Sequence, residues 1–330
     1  GRDSAVDVMR VTATRLFYAI LLLLAVLILN FTMMHLAPGD VADTIAQSMG
    51  GADESVLERI RADYGLDQPF LVQLGAYLGK VLRFDLGYSF YYSQPVTDLI
   101  LQRLPATLLL VFTAQLLALV IGVVLGVISA RRPNGLLSHF VTFLALFGYA
   151  APVFWTGILL LIAFSLKIQW FPVAGMRDVT LQGGFWVQTL DVIRHMTLPT
   201  ITLSTIFLAL YSRLSRATMM ETLGSDYVRT ARAKGLSEGE VVYKHALKNA
   251  LSPVITLAGL QFSAVISGAV LVESVFAWPG LGTLAFQSII ARDTPTILGI
   301  LFFSALMVIV GNLLTDFALR LVDPRLRGRA

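Results

Sequence analysis

Ser225-Asp-Tyr-Val-Arg-Thr-Ala-Arg-Ala-Lys-Gly235-Leu-Ser-Glu-Gly-Glu240-Val-Val-Tyr-Lys-His245-Ala-Leu-Lys-Asn-Ala250-Leu-Ser-Pro253 is a polar, basic stretch set between two long apolar ones. Arg229 to Lys234 read as a short helix whose basic end suits the negative end of the helix dipole. Gly235 stands just past that helix, where the chain commonly turns through a left-handed conformation that glycine adopts without steric cost. Ser237 is placed to cap a second helix, and Glu240, three residues on, closes a capping box. In that helix Val241, Val242, Ala246 and Leu247 are interleaved with Lys244, His245 and Lys248. The stretch therefore encodes two helices bent at Gly235, with a mixed apolar and basic surface. Such an insert either meets a partner outside the bilayer or lies on anionic headgroups, which its cations would favour.

The rest of the chain sets the context. Its 330 residues are 56% hydrophobic and 14% charged, against roughly 25% charged in soluble domains, so an integral membrane protein is expected. There is no cysteine, hence no disulfide framework, thiolate metal site or cysteine nucleophile. Lys and Arg fall in short clusters beside apolar stretches, with no continuous basic face interleaved with aromatics, so nucleic acid is not an expected partner. A membrane span takes roughly 20 mainly apolar residues. Segments 11–36, 105–130, 137–167, 196–219, 253–276 and 296–319 qualify, giving six expected spans. The apolar run of the first exceeds the ~7–15 residues of a signal-peptide core, and no small-residue cleavage site follows, so it reads as a retained span. Orientation follows the Lys and Arg of the short loops. With the N-terminus inside, the cytoplasmic side holds Arg2, Arg10 and Arg15, the Arg131-Arg132 pair, the cluster from Arg213 to Lys248, and Arg320, Arg325, Arg327 and Arg329. Both termini are then cytoplasmic.

Residues 37–104 are too long for a simple outer loop. Two helices are expected there, one over 54–61 and one over 69–84, whose Phe70, Leu71, Leu74, Tyr77, Leu78, Val81 and Leu82 are spaced to give an apolar face. No strand pair is expected. In the second span Pro105 suits the first helical turn, and Gly122-Val-Val-Leu-Gly126 is a spacing that lets helices approach closely. In the third, Pro152 interrupts Gly148-Tyr149-Ala150-Ala151-Pro152-Val153-Phe154-Trp155, and a proline inside a span kinks it and frees backbone groups. Kinks of this sort often line cavities, which makes Tyr149, Pro152 and Phe154 candidate pathway residues. Gln261, Ser267 and Glu273 in the fifth span join them as its polar residues. A kink that serves packing alone, and a Glu273 that reaches water or an Arg near the outer face, remain open.

Other functions find little support. The four histidines, His35, His139, His195 and His245, are far apart in sequence, no H-E-x-x-H or G-x-S-x-G occurs, and neither a catalytic nor a metal-binding set is expected. An ion-driven carrier or channel is the alternative reading, with Glu273 and Asp316 as intramembrane charges, although its two halves show no matched broken segments.

The quoted stretch also resembles the coupling loop of ABC-transporter permeases. The general form is Glu-Ala-Ala, three residues, then Gly. Here Arg229, Thr230 and Ala231 stand before Gly235, so two of three places depart from it. Tyr227-Val228-Arg229-Thr230-Ala231-Arg232-Ala233-Lys234-Gly235-Leu236, followed by His245-Ala246-Leu247-Lys248-Asn249-Ala250 and Pro253, looks like the variant of peptide and nickel importers, with Ser252 in place of a more usual apolar residue. Similar blocks run in order: Ala37-Pro38-Gly39-Asp40, Tyr64-Gly65-Leu66-Asp67-Gln68-Pro69, Asp85-Leu86-Gly87-Tyr88-Ser89, Arg103-Leu104-Pro105-Ala106-Thr107, Glu273 to Gly282, and Leu321-Val322-Asp323-Pro324-Arg325. The chain is therefore similar to the first permease subunit of the dipeptide/oligopeptide/nickel importer family (DppB/OppB-like).

The resemblance implies an all-α integral membrane protein of six transmembrane helices, the type I ABC importer permease fold. It would lie in a bacterial inner membrane, with a cytoplasmic N-terminus at 1–10 and a small helical periplasmic segment at 37–104. Further periplasmic loops would occupy 168–195 and 277–295, a cytoplasmic coupling loop 220–252, and a cytoplasmic tail 320–330. Asp226, Tyr227, Val228, Arg229, Thr230, Ala231, Arg232, Ala233, Lys234, Gly235 and Leu236 would couple the chain to an ATPase. The implied partners are a second homologous permease, two ABC ATPase subunits, a periplasmic substrate-binding protein and membrane lipid. The chain would hold no cofactor and would not be an enzyme, since it has no G-x-x-x-x-G-K-[ST] loop; ATP and Mg would sit on the ATPases. Dipeptide, oligopeptide, glutathione, opine and nickel chelate all remain open as substrates.

Overall fold

The computed structural model describes residues 2–36, 42–43, 46, 51, 53–63 and 65–322; the Ala37-Pro38-Gly39-Asp40 break, Tyr64 and the tail from Asp323 lie outside them. The helices are α1 (Arg2–Leu36), α2 (Glu54–Asp63), α3 (Phe70–Val81), α4 (Val96–Arg131), α5 (Leu136–Ala150), α6 (Val153–Lys167), α7 (Phe185–Leu223), α8 (Asp226–Ala233), α9 (Glu238–Leu260), α10 (Phe262–Val275), α11 (Leu281–Ile290) and α12 (Thr294–Val322). Among the described residues four helices are long and apolar enough to cross a membrane, and there are up to six spans if the bent pairs α5–α6 and α9–α10 each count as one. The chain divides into two units, Gly1–Pro105 with Gly280–Ile309 and Ala106–Pro279 with Val310–Arg329.

In the first unit a two-residue antiparallel pair forms where none was expected, β1 (Tyr88–Ser89) against β2 (Gln94–Pro95), with Tyr88 opposite Pro95 and Ser89 opposite Gln94. A distant carboxylate makes it possible. Asp293 is buried and its Oδ2 accepts from both Ser89 Oγ, at 2.5 Å, and Thr296 Oγ1, at 2.6 Å. Packing also revises the start of α4. The sequence suggests a start at Pro105, yet the helix begins at Val96 and carries the proline inside it. Val96, Leu99 and Ile100 are buried with Leu86, Leu281 and Phe303, and this burial outweighs the backbone bond that Pro105 cannot make. Gly299 lets the helices meet, since a Cβ there would stand 2.6 Å from Val96 Cγ1.

In the second unit the Gly122–Gly126 spacing is a true contact between α4 and α7. A Cβ on Gly122 would meet Tyr211 Cβ at 2.8 Å, and one on Gly126 would overlap Ser215 Cβ and stand 2.7 Å from Ser212 O. Gln115 adds a polar tie from α4, donating to Tyr211 OH at 2.8 Å and to the Ala258 carbonyl at 2.9 Å. Two of the expected spans are broken helices. Between α5 and α6 the axis turns by 108°, because Ala151 (ψ 131) and Pro152 (ψ 133) are both extended. A proline sterically disfavours the helical conformation in the residue before it, so the chain leaves the helix at Ala151 and re-enters after Pro152. The last turns of α6, Leu161–Lys167, are π-helical. The second break lies between α9 and α10, bent by 59°. There α12 crosses closely: a Cβ on Gly259 would overlap Thr315, and one on Gly311 would overlap Phe262.

Candidate functional site

The α8–α9 turn is built from short-range chemistry. Gly235 has φ +77, and among the described residues nothing beyond its own chain neighbours lies within 4 Å of where its Cβ would be, so backbone geometry selects glycine there. Its N–H donates to the Arg232 carbonyl at 2.9 Å and the Leu236 N–H to the Ala231 carbonyl at 3.5 Å. These two bonds are the Schellman pattern that satisfies the last carbonyls of a helix. Ser237 then starts α9. Its Oγ accepts from Glu240 N at 3.4 Å, while Glu240 Oε2 accepts from Ser237 N at 3.2 Å, the reciprocal capping box. Ser237 Oγ also donates to Glu240 Oε2 at 2.9 Å, and the two bonds that the carboxylate accepts from Ser237, from its hydroxyl first and then from its backbone N–H, hold Glu240 below the ordinary glutamate value.

One face of α8 is anchored and the other is free. Val228 and Ala231 are buried with Val127, Met219, Val241, Val242, Ala246 and Ala250. Asp226, Tyr227, Arg229, Thr230, Ala233, Lys234 and Gly235 are exposed. Leu236 is half-buried against the same apolar cluster. Two ties set the angle between the helices. Arg232 grips Glu238 across the turn, Nε to Oε1 at 2.7 Å, and lowers the pKa of that carboxyl. Asn249 Nδ2 donates to Tyr227 OH at 2.8 Å. Arg229 pairs more loosely with Asp226, at 3.7 Å. The Arg232–Glu238 pair was not foreseen from sequence, because the turn angle that makes residues six apart face each other is not a helical spacing. Further along, Val241–Ala246 are π-helical.

The candidate pathway residues separate into two groups. Tyr149 and Phe154 are exposed on either side of the 108° break, Pro152 is exposed within it, Ser267 is exposed on α10, and Gln261 is half-buried at the 59° break. Glu273 differs: it neither faces water nor lines an open surface. It is fully buried, and its Oε1 accepts from Thr107 Oγ1 at 2.6 Å. Beside it Trp278, also fully buried, donates from its backbone N–H to the Glu273 carbonyl at 2.9 Å and from Nε1 to the Ala106 carbonyl at 2.8 Å. This cluster joins α4 to the end of α10. The side chain of Asp316 lies outside the described residues. Among the described residues no group of histidines and carboxylates is placed to hold a metal ion.

A membrane bundle that exposes a short, anchored helix through a capped turn, next to two broken spans, is the architecture of a transporter permease. Residues 122–328 match the family described as the binding-protein-dependent transport system inner membrane component, and residues 8–111 match its N-terminal region. The oligopeptide transport system permease protein AppB of Bacillus subtilis is 40% identical over 314 residues, covering 94% of this chain and 97% of that protein. A putative peptide transport system permease protein of Brucella abortus is 41% identical, covering 95% and 97%. The dipeptide transport system permease protein DppB of Alkalihalophilus pseudofirmus is 37% identical, covering 95% and 98%. In fold, the chain is similar to the MetNI methionine ABC transporter in an inward-facing conformation, with TM-score 0.55 at 17% identity, over 68% of this chain and 96% of that one. The chain belongs to the binding-protein-dependent inner membrane component family and is a transmembrane permease subunit of an ABC importer. That membership sets aside the enzyme and ion-driven carrier readings.

Proposed function

We propose that this permease forms half of a translocation pathway for peptides or a related small solute handed over by a periplasmic binding protein, and that the exposed face of α8 docks on an ABC ATPase. The observation that carries the reading is the two-faced α8, seated by Val228 and Ala231 and presenting Asp226, Tyr227, Arg229, Thr230, Ala233 and Lys234 outward. A helix capped at Gly235 and tied by Arg232–Glu238 and Tyr227–Asn249 moves as a rigid body. A push on its outer face therefore reaches α9, and through it the break at Gln261, with little lost in local bending. A second homologous permease would complete the pathway, bordered on this chain by Tyr149, Pro152, Phe154, Gln261 and Ser267. The Glu273 cluster would fix the far end of α10 as α9 moves. Two ATPase subunits would bind ATP and Mg. Both termini and the α8–α9 turn would face the cytoplasm, and residues 37–104 the periplasm. The peptide assignment draws on the names of the relatives.

Co-purification from the native membrane tests the assembly. A second permease, ATPase subunits and a binding protein are expected, and a chain that purifies alone with full transport activity overturns the reading. Gly235→Asp tests the coupling. Substrate-stimulated ATPase activity and uptake should collapse while the thermal midpoint stays close to wild type; undiminished uptake refutes the role of the turn.

A further inference from the structure

A cavity of about 570 Å³ lies beside the α8–α9 turn. Three guanidinium groups line it, Arg131 and Arg132 from the end of α4 and Arg232 from α8, against the single carboxylate of Glu238. Arg232 is paired with Glu238 at 2.7 Å. Among the described residues neither Arg131 nor Arg132 has an ion-pair partner. The third wall is the start of α5. Its cap residue is Gly135, which has no side chain to satisfy the first-turn N–H groups, and such groups attract anions. Ser138, in the same turn, lines the cavity and is only 1% exposed, and among the described residues its Oγ has no hydrogen-bond partner. The wall is preformed. Arg216 holds it from α7, donating to the Pro133 carbonyl at 3.2 Å and to Thr142 Oγ1 at 3.1 Å, and Gly135 N donates to the Arg132 carbonyl at 3.0 Å.

We propose that this cavity is a phosphate-binding site, occupied by the headgroup phosphate of an anionic phospholipid. A phosphate offers the oxygens that two guanidiniums outside any close ion pair, a buried hydroxyl and an uncapped helix start lack, although Arg131 already feels the Glu238 charge, and arginine suits it by forming paired N–H bonds. The lipid source follows from position. Arg131 is the last residue of the apolar helix α4, where a headgroup lies relative to a span, and Leu136 at the rim is 90% exposed, placed for an acyl chain. The proposal does not depend on which solute the permease carries. It has one consequence for the turn: an occupied cavity competes with Glu238 for Arg232 and so loosens or shifts the tie between α8 and α9.

The test uses the intact importer assembly in neutral detergent, titrated with short-chain phosphatidylglycerol, with phosphatidylcholine as the uncharged control and inorganic phosphate as the rival source. Bound molecules are counted by native mass spectrometry. One phosphatidylglycerol per copy of this chain is expected, with phosphatidylcholine far weaker. Arg131→Ala with Arg132→Ala should weaken retention by roughly 10-fold or more, and Ser138→Ala by a few-fold, on the scale of lost charge-assisted bonds. Arg131→Lys with Arg132→Lys, which keeps the charge and loses the fork, should fall between and covers the case in which the alanine pair fails to assemble. Lys244→Ala, outside the cavity, should change nothing. Displacement of the lipid by millimolar inorganic phosphate, with phosphate itself retained by wild type and lost in the arginine variants, would reassign the source to free phosphate and overturn the lipid assignment. Equal retention of phosphatidylglycerol by wild type and both arginine pairs would overturn the site altogether.

Discussion

The α8–α9 turn and the Glu273 cluster belong to the same structural unit and join helices by opposite means. In the turn, the caps and the ion pair link residues no more than six apart, Gly235 with Arg232, Ser237 with Glu240 and Arg232 with Glu238, and the longest tie, Tyr227 with Asn249, spans 22. These groups are exposed. In the cluster, Thr107 meets Glu273 across 166 residues and Trp278 meets Ala106 across 172, and all four residues are buried. An exposed polar tie contributes little to stability because water competes for both partners. A buried one is costly to break, since the group left behind has neither partner nor water. The cluster should therefore hold the bundle together, while the turn should set an angle and leave overall stability largely to the rest of the fold.

The comparison is sharpened most by Trp278→Ala. It removes a fully buried ring and leaves the Ala106 carbonyl without its indole donor, a cost of about 3–5 kcal/mol for a buried aromatic. A fall of several degrees in the melting midpoint of the detergent-solubilised assembly is expected, and an unchanged midpoint would mean that the cluster is not a structural anchor. Next comes Glu273→Leu, which keeps the volume roughly and removes the acceptor of the Thr107 hydroxyl. The expected loss is about 1–3 kcal/mol, the usual penalty for stranding a buried polar group, and Glu273→Gln, which still offers an oxygen to Thr107, should recover part of it.

The same contrast explains what the sequence could and could not reveal. Gly235, Ser237 and Glu240 were readable because a left-handed cap and a capping box are rules about residues one to three positions apart. The break at Pro152 was readable as a kink, yet its 108° turn was not, because that depends on Ala151 also leaving the helical region. Six apolar segments were visible, but not that α4 reaches back to Val96, which is decided by burial against Leu281 and Phe303 from far along the chain. Glu273 read as a polar residue in a span and therefore as a pathway candidate. Its burial against Thr107 is a tertiary fact with no signal in local spacing. The α8 face, seated by Val228 and Ala231, follows from helical periodicity once the helix is granted, whereas the Arg232–Glu238 tie requires the turn angle itself.

A smaller effect is expected on the local side of the comparison. Gly235→Ala places a Cβ in empty space but forces an L-residue to φ +77, at about 1–2 kcal/mol. Because the cost is confined to the turn, it should appear as faster hydrogen exchange in α8 and the first turn of α9 while the global midpoint barely moves. A midpoint drop as large as that of Trp278→Ala would erase the distinction between the two regions.

The least of these effects is a pH dependence of the capping box. Hydrogen bonds from Ser237, first its side chain and then its backbone N–H, lower the pKa of Glu240 in the folded turn below the ordinary value of 4.5. A depressed carboxyl pKa contributes stability that is fully present above the unfolded value and is lost as the pH falls through the folded one. The box should therefore be intact at neutral pH and open only as the pH drops below about 4.5. Glu240 is exposed, so the change is local: protection of the Ser237 amide, corrected for the intrinsic pH dependence of exchange, should decline across that acidic window, with α10 unaffected. The Glu238 carboxyl is also held low, through its bond to Arg232, so the two must be separated. Glu240→Gln should flatten the Ser237 response while Glu238→Gln leaves it in place. If Glu238→Gln removes the response instead, the turn is held by the arginine tie rather than by its cap, and the purely local account of the α8–α9 angle fails.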